Sequence, residues 1–444
     1  MTGRRLLAAL AGAVLAVPAV AVLPAAVTAG APRPSTPTAA RAPGEPCPAP
    51  APPPTPANRP PAPSPPAGDP VLRTVGGLSL ATSGLVVPPG APRPPAVSAT
   101  SWLVADLDSG AVLGGCGPHE YGIPASVQKL LLAATLLPRL DPRQIVTVTR
   151  ADMAFESGSS AVGLLVNGHY SVETLWLGLL LNSGNDAANV LARVGGGTAG
   201  MAGTVQAMNE EAQRLGAFQT RAVTPSGLDA PGQFTSAYDL ALIARVCFAN
   251  AAFRKYAATE RAQIPAQPPA DKRGFQIQNE NQLLFRYPGA LGGKTGFTNV
   301  ARHTYVGAAE RNGRRLVVTL LGAEARPLRG WQQGAALLDW GFALPRDASV
   351  GRLVTPGEAT PADPASTPTG VAAIGGAPGD QSPSAPAAGL AGVRSTTAWP
   401  VIAVGLMVAG TALIPIIALR RRRRRAERRR TRQLASRRPG ARLR

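Results

Sequence analysis

Proline decides where this chain can fold. Of its 46 prolines, 17 fall within residues 31–70. Each one fixes φ and removes a backbone donor, so neither a helix nor a sheet ladder can be assembled through such a run. Residues 30–71 therefore read as an extended spacer. A second stretch, 349–397, is rich in Ala, Pro, Gly, Ser and Thr and reads as a low-complexity linker. Between them, residues 72–348 have ordinary composition and enough length for one large core.

The two ends carry membrane signals. Arg4 and Arg5 precede an apolar run from Leu6 to Leu23, and Val27-Thr28-Ala29 offers a small-residue cleavage site. Residues 1–29 are expected to be a secretory signal peptide. Residues 398–419 hold 22 consecutive uncharged positions. As a helix that run spans about 33 Å, enough to cross a bilayer. Residues 420–444 follow with 14 arginines and one glutamate. The positive-inside rule makes this tail cytoplasmic. The expectation is a single-pass cell-membrane protein with its folded domain outside the cytoplasm. The formal net charge of +20 thus comes mainly from the tail, and nucleic acid is not an expected partner. Only three histidines (His119, His169, His303) and three cysteines (Cys47, Cys116, Cys247) are present, so neither a metal nor another cofactor is expected.

The central region mixes periodicities. Strands are expected at 101–106 and 111–113, joined by Asp108-Ser109-Gly110. Helices are expected at 126–137, 172–181, 186–194, 201–215 and 237–249. Two strands, 304–309 and 316–322, flank Arg311-Asn312-Gly313, where Asn-Gly signals a hairpin. A last helix is expected at 331–341. The fold class is α+β, an antiparallel sheet flanked by helices.

Lysine usage singles out the chemistry. The chain has 41 arginines and four lysines: Lys129, Lys255, Lys272 and Lys294. Arginine cannot give up its proton near neutral pH, so a retained lysine marks a position that needs a titrating or compact cation. Lys129 lies in Ser126-Val127-Gln128-Lys129, where i and i+3 share a helix face and the amine can meet the hydroxyl. Lys294 opens Lys294-Thr295-Gly296. Between them lies Ser183-Gly184-Asn185. Lys255 and Lys272 read as surface residues.

These three motifs, in this order, resemble those of the penicillin-binding protein and serine β-lactamase superfamily. The flanks PASVQKLLLAATLL, LLLNSGNDAANVLA, TPSGLD, TSAYDLALIAR and GGKTGFTNVA are similar to low-molecular-mass D-alanyl-D-alanine carboxypeptidases of the peptidase S11 type, of actinobacterial kind. The resemblance implies a penicillin-binding protein/serine β-lactamase-like fold with a helical subdomain. Its implied substrate is a peptidoglycan stem peptide ending in D-Ala-D-Ala, and β-lactams are implied inhibitors. Ser126 would be acylated, with Lys129 as its base. Ser183 would relay a proton, and Asn185 would hold the peptide amide and Lys129. Lys294 would supply positive charge. Thr295, Gly296 and Phe297 would bind substrate, Thr295 through the terminal carboxylate. The backbone N–H groups of Ser126 and Phe297 would form the oxyanion hole. Arg329, with Arg326 as the alternative, would also meet the carboxylate.

Three other functions share parts of this pattern. A D,D-endopeptidase would carry the same motifs. A class A β-lactamase would need a Glu-x-x-x-Asn loop between Asn185 and Lys294, and the sequence has none there. A non-catalytic scaffold would have no use for six intact motif positions. His303 reads as a sheet-edge histidine and Cys247 as a buried thiol. Cys47 and Cys116, both on the exported side, are candidates for a disulfide; free thiols at both remain the alternative.

Overall fold

The computed structural model describes residues 45–51 and 60–359. The expected signal peptide (1–29), membrane helix (398–419) and arginine-rich tail (420–444) lie outside them. Among the described residues no helix is long and apolar enough to cross a membrane.

In chain order the strands are β1 (Leu85–Val86), β2 (Ser101–Asp106), β3 (Ala111–Cys116), β4 (Ile145–Thr147), β5 (His169–Ser171), β6 (Arg261–Ile264), β7 (Phe275–Gln278), β8 (Ala290–Thr298), β9 (Arg302–Arg311), β10 (Arg314–Ala323) and β11 (Gly351–Arg352). The helices are α1 (Lys129–Leu136), α2 (Val172–Leu181), α3 (Asn185–Gly195), α4 (Gly200–Leu215), α5 (Ala237–Ala249), α6 (Ala251–Ala257), α7 (Leu283–Arg286) and α8 (Gly330–Ala343). The main sheet runs β1-β3-β2-β10-β9-β8, and β11 also pairs with β3. All its pairings are antiparallel.

Its central strands are buried on both faces, which is why they read as unbroken apolar runs rather than alternating ones. Trp102, Val104, Leu316, Val318 and Leu320 point to one side, where they meet Leu337, Leu338 and Trp340 of α8. Leu103, Ala105, Val317 and Leu321 point to the other, into a core shared with α1 and α5. On that side α1 packs against α3, α4 and α5. The helices α1–α4 form the helical half, and the candidate site lies where it meets β8.

Several boundaries depart from the sequence expectation. The serine of Ser-x-x-Lys sits in a 3₁₀ turn, Ala125–Gln128, and the α-helix begins only at Lys129. β8 was not expected at all. Its glycines disguise it: Gly292 and Gly293 hold φ of +100° and +147°, and the register shifts between Ala290 and Gly292. A Cβ on Gly293 would stand 2.0 Å from the Val306 carbonyl oxygen. The Asn-Gly hairpin is present, with Asn312 and Gly313 both at positive φ, between strands longer than expected.

Both edges of the domain also need correction. The spacer assigned to 30–71 is not free throughout. Cys47 is disulfide-bonded to Cys116, and the Leu85 and Val97 amides donate to the Glu45 and Pro48 carbonyls. At the other edge the linker cannot begin at 349. β11 completes the outer edge of β3, and Leu353 and Val354 enter the core. Cys247 is a buried free thiol that donates to the Leu130 carbonyl at 3.3 Å.

Candidate active site

Ser126 stands at a forced bend. Ala125 holds φ at +47°, a conformation that costs an alanine about 1 kcal/mol. The bend presents Ser126 to a cavity of about 570 Å³ between β8, the start of α8, the loop at 158–160 and the Ser183 loop.

Lys129, one turn on, is fully buried. Its Nζ lies 3.0 Å from Ser126 Oγ, 2.7 Å from Asn185 Oδ1 and 2.8 Å from the Ser226 carbonyl oxygen. The last two can only accept. A neutral amine therefore spends both of its hydrogens on them and turns its lone pair toward the Ser126 hydroxyl. Burial holds the Lys129 pKa well below the usual lysine range, and the nearby charge of Lys294 lowers it further. Asp186 and Glu280 pull in the opposite direction. Burial brings Lys294 down to about 8, against the pull of Glu280. Lys294 Nζ donates to the Thr295 carbonyl at 2.7 Å.

The Ser183 loop completes this wall. Ser183 adopts φ +60°, and its Oγ is buried without a hydrogen-bond partner among the described residues. Asn185, at the start of α3, donates through Nδ2 to Ser159 Oγ at 3.0 Å. Its neighbour Asp186 accepts from the amides of Val162, Gly163 and Leu164 at 2.8–3.0 Å. This pins the loop that carries Ser159 to the α3 terminus.

β8 forms the opposite wall. Gly296 passes so close to Ser126 that a Cβ there would stand 2.8 Å from the Ser126 nitrogen and 2.3 Å from Thr304 Oγ1. Thr304 Oγ1 in turn donates to the Pro124 carbonyl at 2.8 Å, tying β9 to the bend. Thr295 and Phe297 line the cavity, and Phe297 is 48% exposed. Arg329, the N-cap of α8, lines it too, whereas Arg326 is not among the lining residues. His303 lies beside Phe297, ring centroids 4.7 Å apart and planes tilted by 40°, and borders the cavity. Burial lowers its pKa, and Arg302 adds to the effect.

The structure thus places Ser126, Ser183, Asn185, Thr295, Gly296, Phe297 and Arg329 on the lining of one cavity, with Lys129 and Lys294 buried beside Ser126 and Thr295. Sequence reasoning gave no role to Ser226, Ser159, Asp186 or Glu280. Ser226 and Asp186 stood inside quoted family-like segments, so the flanks carried that signal. The carbonyl of Ser226 and the backbone amides held by Asp186 are main-chain features that residue identity does not announce.

The fold is that of the penicillin-binding DD-peptidases. It resembles a crystal structure of a D-alanyl-D-alanine carboxypeptidase from Mycobacterium tuberculosis with TM-score 0.57 and 45% identity, covering 60% of this chain and 100% of that one. A family model for D-alanyl-D-alanine carboxypeptidases, peptidase S11, matches residues 89–325, and the chain belongs to that family. It is 47% identical to the carboxypeptidase DacB2 of M. tuberculosis over 60% of this chain and 90% of that one. It is 34% identical to DacD of Salmonella typhimurium over 56% of this chain and 64% of that one. The protein is accordingly a hydrolase of the serine-peptidase type.

Proposed function

We propose that the enzyme removes the terminal D-alanine from peptidoglycan stem peptides ending in D-Ala-D-Ala, through an acyl-enzyme on Ser126. The observation that carries this reading is the Lys129 amine, buried, depressed in pKa and 3.0 Å from Ser126 Oγ. Neutral Lys129 takes the hydroxyl proton as Ser126 Oγ attacks the penultimate carbonyl. The Ser126 and Phe297 amides stabilise the oxyanion. Ser183, whose hydroxyl is otherwise unengaged, passes the proton to the departing nitrogen. Lys294 keeps Lys129 neutral by its charge, and Asn185 fixes the amine's direction. Thr295 and Arg329 hold the terminal carboxylate. Water then hydrolyses the ester. A β-lactam meets the same serine as an acylating inhibitor.

The test is a D-Ala-D-Ala-terminated peptide incubated with the enzyme, scored for free D-alanine, alongside intact mass after penicillin treatment. One drug equivalent is expected on the native protein and none on Ser126→Ala. An adduct that persists in the variant would remove Ser126 from the scheme.

We propose further that residues 1–29 direct export and that 398–419 anchor the domain outside the membrane. The support is the charge pattern at the two ends. Protease applied to intact protoplasts should remove the catalytic domain; protection of that domain would reverse the orientation.

A further inference from the structure

The hairpin β6–β7 and the residues just past it alternate inward and outward side chains, and amides stand on both sides. The inward side is fully engaged. Ile264 and Ile277 enter the core. Buried Asn279 donates through Nδ2 to the Ala257 and Thr259 carbonyls at 3.2 and 3.0 Å, and its Oδ1 accepts from the Asn281 amide at 3.0 Å. Buried Asn281 accepts through Oδ1 from the Leu283 amide and the Tyr305 hydroxyl at 3.2 and 3.0 Å. Gln267, between the two strands, clamps the hairpin to β5. Its Oε1 accepts from the His169 amide at 2.8 Å, and its Nε2 donates to the His169 carbonyl at 2.9 Å.

The outward side is the reverse. Gln276 and Gln278 of β7 are exposed and stand directly across from Gln263 and Arg261 of β6, which are exposed too. Neither Gln276 nor Gln278 has a side-chain hydrogen-bond partner among the described residues. Gln263 reaches only the carbonyl of its neighbour Ile264, at 3.4 Å. Past β7 the Asn279 amide donates to the Glu260 carbonyl at 2.8 Å, so the ladder continues one step and Glu280 comes next on the outward side. Glu280 lines the active-site cavity. From Gln276 to Glu280 the row is about 14 Å long at strand spacing. It leads from the hairpin to the rim of the catalytic cavity, and its one guanidinium, Arg261, is offset by the Glu280 carboxylate.

Such a row selects its ligand by chemistry. A primary amide both donates and accepts, which matches hydroxyl and N-acetyl groups. An anionic polymer needs a line of cations, and an apolar segment needs apolar side chains; the row has neither. Its length suits an extended chain rather than a single ring. We infer that the outer face of β6–β7 binds the amino-sugar chain of peptidoglycan and so holds polymer-borne stem peptides beside the cavity. The inference rests on the stem-peptide reading above and adds to it that the polymer is a better substrate than a free peptide.

The experiment uses the full chain in detergent and two readouts. The first is co-sedimentation with insoluble glycan strands stripped of their stem peptides by an amidase. The second is D-alanine release from intact peptidoglycan and from soluble diacetyl-L-Lys-D-Ala-D-Ala. The native chain should pellet with the stripped glycan, and the double variant Gln276→Ala/Gln278→Ala should stay largely in the supernatant. That variant should lose about tenfold in kcat/KM on intact peptidoglycan, the scale of two lost hydrogen-bonding side chains, and keep its rate on the soluble peptide. Gln276→Glu/Gln278→Glu, which keeps side-chain length but removes the donors, should behave alike. Equal pelleting of native and variant chains, pelleting with intact peptidoglycan but not with stripped glycan, or an equal loss on both substrates would overturn the inference and leave the carboxypeptidase reading intact. Absence of D-alanine release from either substrate by the native enzyme would overturn that reading instead, and sedimentation on stripped glycan would still decide the inference.

Discussion

At the residue scale the site turns on a division of labour between two lysines that differ in surroundings rather than in type. Lys129 has two obligate acceptors and one hydroxyl, so deprotonation leaves its lone pair a single useful target. Lys294 has one carbonyl acceptor and acts on Lys129 across space. In the proposed scheme the productive state has Lys129 neutral and Lys294 charged. Activity should therefore rise as pH climbs through the depressed Lys129 pKa and fall as it passes the Lys294 value of about 8. The two limbs belong to the coupled pair. Lys129→Arg and Lys129→Ala should both lose acylation by about 10²–10⁴-fold, because neither side chain accepts a proton at working pH. Ester-substrate acylation rates across pH check both statements. A working arginine variant would mean that Lys129 acts by charge alone, and an alkaline limb displaced beyond pH ~10 would remove Lys294 as its source. The scarcity of lysine against arginine made both residues readable from sequence, since that choice is a matter of side-chain chemistry.

At the element scale the decisive contact is β8 against the Ser126 bend. The motif Lys294-Thr295-Gly296 was readable, but the strand that carries it was not, because glycines at positive φ break the β pattern. Those glycines are there to let backbone approach backbone, which is a tertiary demand. Gly296 is the sharpest case. Gly296→Ala would drive a methyl group into the Ser126 nitrogen and Thr304 Oγ1, so β8 must move away from the nucleophile. Thr304 would loosen its bond to the Pro124 carbonyl, and the Phe297 amide, next along β8, would shift with Gly296. Penicillin acylation should drop by at least 10²-fold, the scale of one lost oxyanion donor, while circular dichroism and cooperative melting persist. Normal acylation by this variant would show that β8 can yield without cost and would undo the argument for the oxyanion hole. The strands β2, β3, β9 and β10 and the helices α1 to α5 and α8 were readable from their apolar runs, whereas β1, β4 to β7, β11, α6 and α7, all of seven residues or fewer, are too short to show a period.

At the scale of the whole molecule, composition located the folded region but blurred its edges. Proline-rich and Ala/Gly-rich sequence resembles a tether whether or not it is fastened down, and the fastening here comes from one distant cysteine and a two-residue strand. The Cys47–Cys116 bond closes a loop with a sequence separation of 69. By chain entropy alone, such a cross-link stabilises the fold by up to about 4 kcal/mol. Two backbone hydrogen bonds, from Leu85 to Glu45 and from Val97 to Pro48, hold the same segment along the β1 side of the sheet. At the far end Tyr238 donates through its hydroxyl to the Arg352 carbonyl at 2.9 Å and accepts from the Val354 amide at 3.1 Å. Fragments 31–359, 72–359 and 31–348 separate these contributions. The first should melt highest. Removing the amino-terminal arm should lower the midpoint by roughly 10 °C, and reduction of 31–359 should reproduce most of that loss. Removing 349–359 should lower it independently of reduction, because β11 pairs with the end of β3 away from Cys116, and Leu353 and Val354 belong to the other core. Equal midpoints for 31–359 and 72–359 would return the arm to the status of a free spacer. A loss on truncation that reduction fails to reproduce would assign the stabilisation to the Glu45 and Pro48 hydrogen bonds instead.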